Sequence, residues 1–248
     1  MTEITLIVRI IVAQMDAILQ DMRNIEFSRI DYNEENEDYF AIIEGKIPVL
    51  VSAPHGAKHY RNGGFKEEDE YTGSLAIKLG EITGAYVIFV KNKTREDPNY
   101  DIRARYKDDI KKLVGEKKIR FVADLHGADH NRHYKVNVGI MDDDITKCSC
   151  PSLKPVIEEA FKGFQQPLFN LDLYTASSLG TVTYFVKNTC KIEAAQFEIN
   201  GKYRIIERKP DSSRAQKGIS TNFKTEEKDV LELIKRLERM IIKIAQTK

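Results

Sequence analysis

The fold class this sequence predicts is α/β: a three-layer α/β/α sandwich around a mostly parallel mixed sheet. Three observations predict it. The apolar runs at Val49–Val51, Ala85–Val90 and Ile119–Ala123 are rich in branched residues, as in strands covered on both faces. Stretches with helical spacing stand between them, and strands alternating with helices build a parallel sheet. No Pro/Ser/Gly-rich linker, low-complexity tract or repeat divides the 248 residues, so residues 1–248 read as a single domain.

The elements follow in order. Residues 1–35 are apolar from Ile4 to Leu19, but Arg9 and Asp16 interrupt the run. Its pieces are too short to span a bilayer, Glu3 stands where a secretory leader is basic, and no clean cleavage site follows. An amphipathic segment packed on the domain is expected. Tyr39–Gly45 reads as a strand and turn. Lys46–Ser52 reads as a central strand that Pro54 breaks, handing His55 and Gly56 to a loop. Glu67–Glu70 precede the helix carrying Leu75, Ala76, Ile77, Leu79 and Ile82, where carboxylates suit the first turn. Gly84 ends that helix and Ala85–Val90 is the next strand. Ile102–Val114 reads as a helix closed by Gly115, Ile119–Ala123 as the strand ending at Asp124, Leu125, His126 and Gly127, and Val136–Met141 as another strand. Ser152–Phe164 is expected to be helical. Thr181–Val186 and Ile192–Ile199 are expected to be strands, close enough for some antiparallel pairing. Lys209–Asn222 reads as a surface loop, and Thr225 as the cap of a last helix with Val230, Ile234, Leu237, Ile241 and Ile244 on one face.

Composition narrows the function. With 42% hydrophobic and 31% charged residues the chain is an ordinary globular one, and a net charge of +1 creates no field favouring nucleic acid or anionic membrane. Neither is an expected partner. Cys148, Cys150 and Cys190 are too sparse for a disulfide framework, so a cytoplasmic setting is expected.

Two strands each ending in His-Gly aim His55 and His126 at one point, in the crevice where open α/β sheets bind ligands. A catalytic zinc site takes three N/O ligands and keeps one position for water. His55, His126 and one acid from Glu67 to Glu70 supply that set, and the glycines let backbone approach an ion closely. Asp124 is a candidate to accept the outer N–H of a ligating imidazole. Glu198, at the end of an alternating strand, is a candidate general base. Arg103, Arg105 and Arg204 are candidates to clamp a substrate carboxylate.

Several pieces of the chain, in order, resemble the N-formylglutamate amidohydrolase family, zinc-dependent amide hydrolases related in fold to zinc carboxypeptidases. They are Ser52–Gly56, Asp69–Leu75, Gly84-Ala85, Asp124–His126, Asn137–Gly139, Gly180–Thr183 and Gln196–Ile199. The resemblance implies a zinc carboxypeptidase/phosphorylase-hydrolase-like sandwich, with His55, Asp69 and His126 on Zn2+ or another divalent cation and Glu198 as general base. It selects Asp69 over Glu68, which a one-residue slip would make the ligand instead. It also implies a small substrate carrying a carboxylate, such as N-formylglutamate or a peptide-like molecule. One departure stands out. Where the family has Asp-x-Asn-Arg, this chain has Asp97-Pro98-Asn99-Tyr100: Asn99 matches as a substrate-binding residue and the arginine is missing. Arg103 or Arg105 is expected to replace it. The alternative is a catalytically inactive small-molecule binding protein on the same fold.

Overall fold

The computed structural model describes residues 3–142, 146–218 and 225–247, with side chains from residue 16 onward. Helix α1 (Glu3–Arg29) leads into strands β1 (Asp31–Glu35), β2 (Phe40–Ile43) and β3 (Ile47–Ala53). A hairpin, β4 (His59–Arg61) and β5 (Gly64–Lys66), precedes α2 (Thr72–Thr83), β6 (Ala85–Val90) and β7 (Asn92–Lys93). Then come α3 (Arg105–Lys117), β8 (Phe121–Ala128), β9 (Val136–Gly139) and α4 (Lys154–Phe161). A short α5 (Val182–Phe185) runs into a π turn (Val186–Cys190) before β10 (Glu193–Asn200), α6 (Ser213–Gln216) and α7 (Glu227–Gln246).

Among the described residues the main sheet has six strands in the order β2-β6-β3-β8-β10-β9. The four interior strands are mutually parallel, and each edge strand runs antiparallel to its neighbour. This is the mixed, mostly parallel sheet expected of the sandwich. Helices α1, α2, α4 and α7 pack together as one layer, and α3 touches the π turn that follows α5 on β8 and β10. The interior strands are apolar because both faces are covered: Val49, Leu50, Val51, Phe121, Val122 and Ala123 are fully buried. Helix α7 delivers Val230, Ile234, Leu237, Ile241 and Ile244 to the core, as their spacing predicts. In α1, Leu19, Met22 and Ile25 are buried, and the helix lies against α2 and α7.

Several expectations need correction. Thr181–Val186 is not a strand: the Thr181 hydroxyl accepts the Tyr184 amide at 3.2 Å and starts α5. An apolar run this short does not distinguish a strand from a buried helical turn, and tertiary contact decides. The antiparallel pairing lies at the two sheet edges, not between Thr181–Val186 and its successor. Glu67–Glu70 do not form the first turn of α2, which has no acid in that turn; they form the approach to it, with Tyr71 in the left-handed region at φ 65°. Helix α3 begins at Arg105 rather than Ile102 and runs through Gly115. Helix α4 is shorter than Ser152–Phe164, and β9 stops at Gly139. Thr225 does not cap α7; Glu226 is its first flanking residue, and the Thr225 hydroxyl donates to the Ile205 carbonyl. Lys209–Asn222 is not a surface loop throughout: Lys209, Ser212 and Ser213 are buried and Ser213–Gln216 form α6, while residues 219–222 lie outside the described residues.

Candidate metal centre

Three neighbouring parallel strands converge on the site. β3 ends two residues before His55, β8 carries Asp124 and His126, and β10 carries Gln196 and Glu198. The β8–β10 register sets Gln196 beside Asp124 and Glu198 beside His126. Alternation along each strand then puts all four on one face. Asp69 enters from the approach to α2, where its backbone N–H donates to the His55 carbonyl at 2.8 Å and its own carbonyl accepts from the Thr72 amide and hydroxyl.

His55 and His126 turn their Nδ1 atoms toward the same oxygen, Asp69 Oδ2, each at 3.4 Å. Their ring centroids lie 4.8 Å apart at 78°. The outer nitrogens are held by carboxylates: His55 Nε2 lies 2.9 Å from Asp97 Oδ1, and His126 Nε2 lies 3.1 Å from Asp124 Oδ2. Asp124 Oδ1 accepts from Ser52 at 2.8 Å, tying β8 to β3. Both rings thus have an acceptor behind and a nitrogen in front, the arrangement that orients imidazole ligands on a metal.

The electrostatics match. Burial opposes the charged form of His126, but Asp124 and Asp69 outweigh it and hold the imidazole well above its ordinary value. His55 is raised in the same way: burial works against its charge, and the Asp69 and Asp97 hydrogen bonds prevail. Burial pushes Asp69 up, but those two rings outweigh it and hold the carboxyl well below the ordinary carboxylate range. Metal-free, the three groups hold together as an ion cluster. Burial raises Glu198, with the Asp69 charge adding to it and His126 opposing. Gln196 donates to Glu198 Oε1 at 2.8 Å and fixes the carboxylate.

Whether this set fits a divalent cation is decided by its donors. One nitrogen from each ring and one carboxylate oxygen lie within 4.8 Å of one another, in the His-carboxylate-His chemistry of an open catalytic zinc site. They fit. His55, His59 and Asp97 also lie close enough to hold an ion. There, however, the Asp97 carboxylate already accepts from Arg61 Nε, the Asn99 amide and His55. It serves as the hub behind His55.

Among the other predicted residues, Asn99 lines the groove: its Oδ1 accepts the Val182 amide at 2.7 Å and its Nδ2 lies 3.5 Å from Gln196 Oε1. Arg204 is 5% exposed beneath Gly127, and its Nε and Nη1 have no hydrogen-bond partner among the described residues. Glu68 is drawn away from the rings by the Ser213 amide and hydroxyl. Arg105 is also elsewhere, bound to the Glu37 carbonyl and beside Glu96, and Arg103 is an exposed residue that does not line the groove. Neither is positioned to replace the missing arginine. Both glycines have close neighbours of their own. A Cβ on Gly56 would collide with the Val90 carbonyl, and one on Gly127 would collide with the Arg204 guanidinium. They admit a backbone carbonyl and an arginine. Sequence reasoning missed Asp97, His59 and Arg61. Asp97 had a signal, since it begins the Asp-x-Asn segment; the other two lie on a hairpin that has none.

A groove of about 640 Å3 opens over the rings, lined also by Arg61, Asn99, Tyr100, Arg132, Tyr174 and Glu198. No helix among the described residues is long and apolar enough to cross a membrane.

No protein-family model matches the sequence, and no curated protein matches it. Solved structures do match the fold. The gene product Atu2144 from Agrobacterium tumefaciens is 11% identical over 83% of this chain and 94% of its own, with a TM-score of 0.55. N-formylglutamate amidohydrolase from Ralstonia eutropha JMP134 is 12% identical over 84% of this chain and 97% of its own, with a TM-score of 0.52. The chain therefore has the fold of N-formylglutamate amidohydrolase, the family whose motifs its own resemble in order.

Proposed function

We propose that the chain is a metal-dependent hydrolase of amide C–N bonds in a small N-acyl amino acid or peptide-like substrate, working in the cytoplasm. The observation that carries this is the pair of buried imidazoles turned on one Asp69 oxygen with Glu198 alongside. Bound at His55, Asp69 and His126, a divalent cation, zinc by resemblance, would supply Lewis acidity and acidify water toward a pKa of about 7. The residues do the rest. Asp97 and Asp124 hold the outer imidazole protons, so that both Nδ1 lone pairs face inward. Glu198, whose raised proton affinity suits a shuttle, takes a proton from water and returns it to the leaving amine. Asn99, which lines the groove, helps to orient the substrate.

The test is metal analysis and hydrolysis of N-acyl amino acids before and after chelation, in the wild type, His126→Ala and Glu198→Gln. Metal lost in the first variant and kept in the second is expected. Glu198→Gln should lose roughly 10²–10⁴-fold in rate. Full activity of Glu198→Gln would remove it as the base, and activity surviving chelation would end the metal reading. Stoichiometric metal and ligand binding without turnover would favour the inactive binding protein.

A further inference from the structure

We infer that Arg61, on the β4–β5 hairpin, is the residue that binds the substrate's carboxylate. The inference deepens the amide-hydrolase reading and rests on it. It starts from the cations that line the groove: Arg61, Lys66, Arg132 and Arg214. Arg132 is engaged, with Nη1 on Asp172 at 2.7 Å and Nη2 3.4 Å from the Tyr174 hydroxyl. Arg214 is paired with Asp129 at 2.6 Å and lies 3.5 Å from Glu67. Lys66 is an exposed ammonium without a fork.

Arg61 differs. Its Nε is fixed on Asp97 Oδ2, and its guanidinium stands over the Tyr100 ring, 4.8 Å from the centroid. The Tyr100 hydroxyl in turn donates to Asn62 Oδ1 at 3.2 Å, in the hairpin that carries Arg61. The plane is therefore oriented, while Nη1 and Nη2 have no hydrogen bond or ion pair among the described residues. Two parallel N–H donors left free on an oriented plane match a carboxylate's two oxygens. The position is apt as well. The carboxylate of Asp97 bridges Arg61 to His55, so a substrate held by Arg61 lays its amide near the rings.

The experiment reads binding, not turnover. NMR titrations of chelator-treated protein compare N-acetyl-L-alanine with N-acetyl-L-alaninamide, which differ only in the charged group. The wild type should bind the acid about tenfold or more tightly than the amide, as expected for charge-assisted hydrogen bonds. Arg61→Gln should abolish that preference while leaving amide binding unchanged, and Arg61→Lys should recover part of it. Arg132→Gln should keep it. Tyr100→Leu, which spares the arginine and removes its platform, should weaken acid binding alone. A preference retained by Arg61→Gln, or absent from the wild type, overturns the inference. Absence of hydrolysis by the metal-loaded wild type, with the binding preference intact, would instead count against the function proposed above.

Discussion

Asp97 and Asp124 share one task and differ in what else they hold. Each accepts the outer nitrogen of one imidazole, but Asp97 also carries Arg61, whereas Asp124 is tied to Ser52 inside the sheet. Asp97→Asn and Asp124→Asn should each weaken zinc binding by about 10–100-fold, measured by chelator competition, because the ligands lose their orienting charge. Only Asp97→Asn should also lower the affinity for a carboxylate ligand. Equal effects of the two variants on that ligand would separate Asp97 from the groove. His59 makes the same neighbourhood workable. Burial and the nearby charge of His55 push its pKa down to about 3, so it stacks on His55 at 3.9 Å as a neutral ring.

At the scale of elements, the site depends on how closely β3, β6 and β8 approach. Gly56 lies where the chain leaves β3 and passes over the end of β6, against the Val90 carbonyl. Gly56→Ala should displace that turn, destabilise the fold by about 1–3 kcal/mol and weaken metal binding through His55, as read by denaturant melts and zinc titration. Gly115 offers the contrast. It lies inside α3, and a methyl group there would meet no atom within 4 Å, so Gly115→Ala should stabilise by about 0.5–1 kcal/mol without touching the site. The same distinction explains which elements could be read in advance. Helix α7 was legible because five apolar residues recur at helical spacing. The hairpin β4–β5 was not, because three-residue strands have no periodicity to display, and it is this hairpin that brings His59 and Arg61 to the groove.

For the whole molecule, the charge cluster links stability to pH. His55 and His126 are raised above 6.5, so in the metal-free protein their contribution is full below 6.5 and is lost as pH rises through their folded values. Asp69 is lowered below 3.8, so its contribution is full above 3.8 and is lost as pH falls through its folded value. Metal-free protein should therefore draw most from the cluster between 3.8 and 6.5. Metal binding needs both imidazoles deprotonated, so the stabilisation by added zinc should grow as pH rises past 6.5. Melting temperatures on either side of that pH, with and without zinc, check both trends. Glu198→Gln removes that carboxylate's own titration from the comparison. Zinc stabilisation that falls with pH would mean that the imidazoles are not its ligands.

Residue order alone determined the alternation of strands and helices, and two histidines that follow apolar runs with an acid between them in the chain, because burial on both faces and the break at Pro54 are written locally; that β8 continues through His126 and Gly127 to Ala128 was not. Which acid faces the rings, which carboxylates stand behind them and which arginine reaches the groove were decided only in three dimensions. Asp69, Asp97 and Arg61 are separated along the chain by loops and a hairpin, and their side chains meet only when packing closes those segments over the sheet.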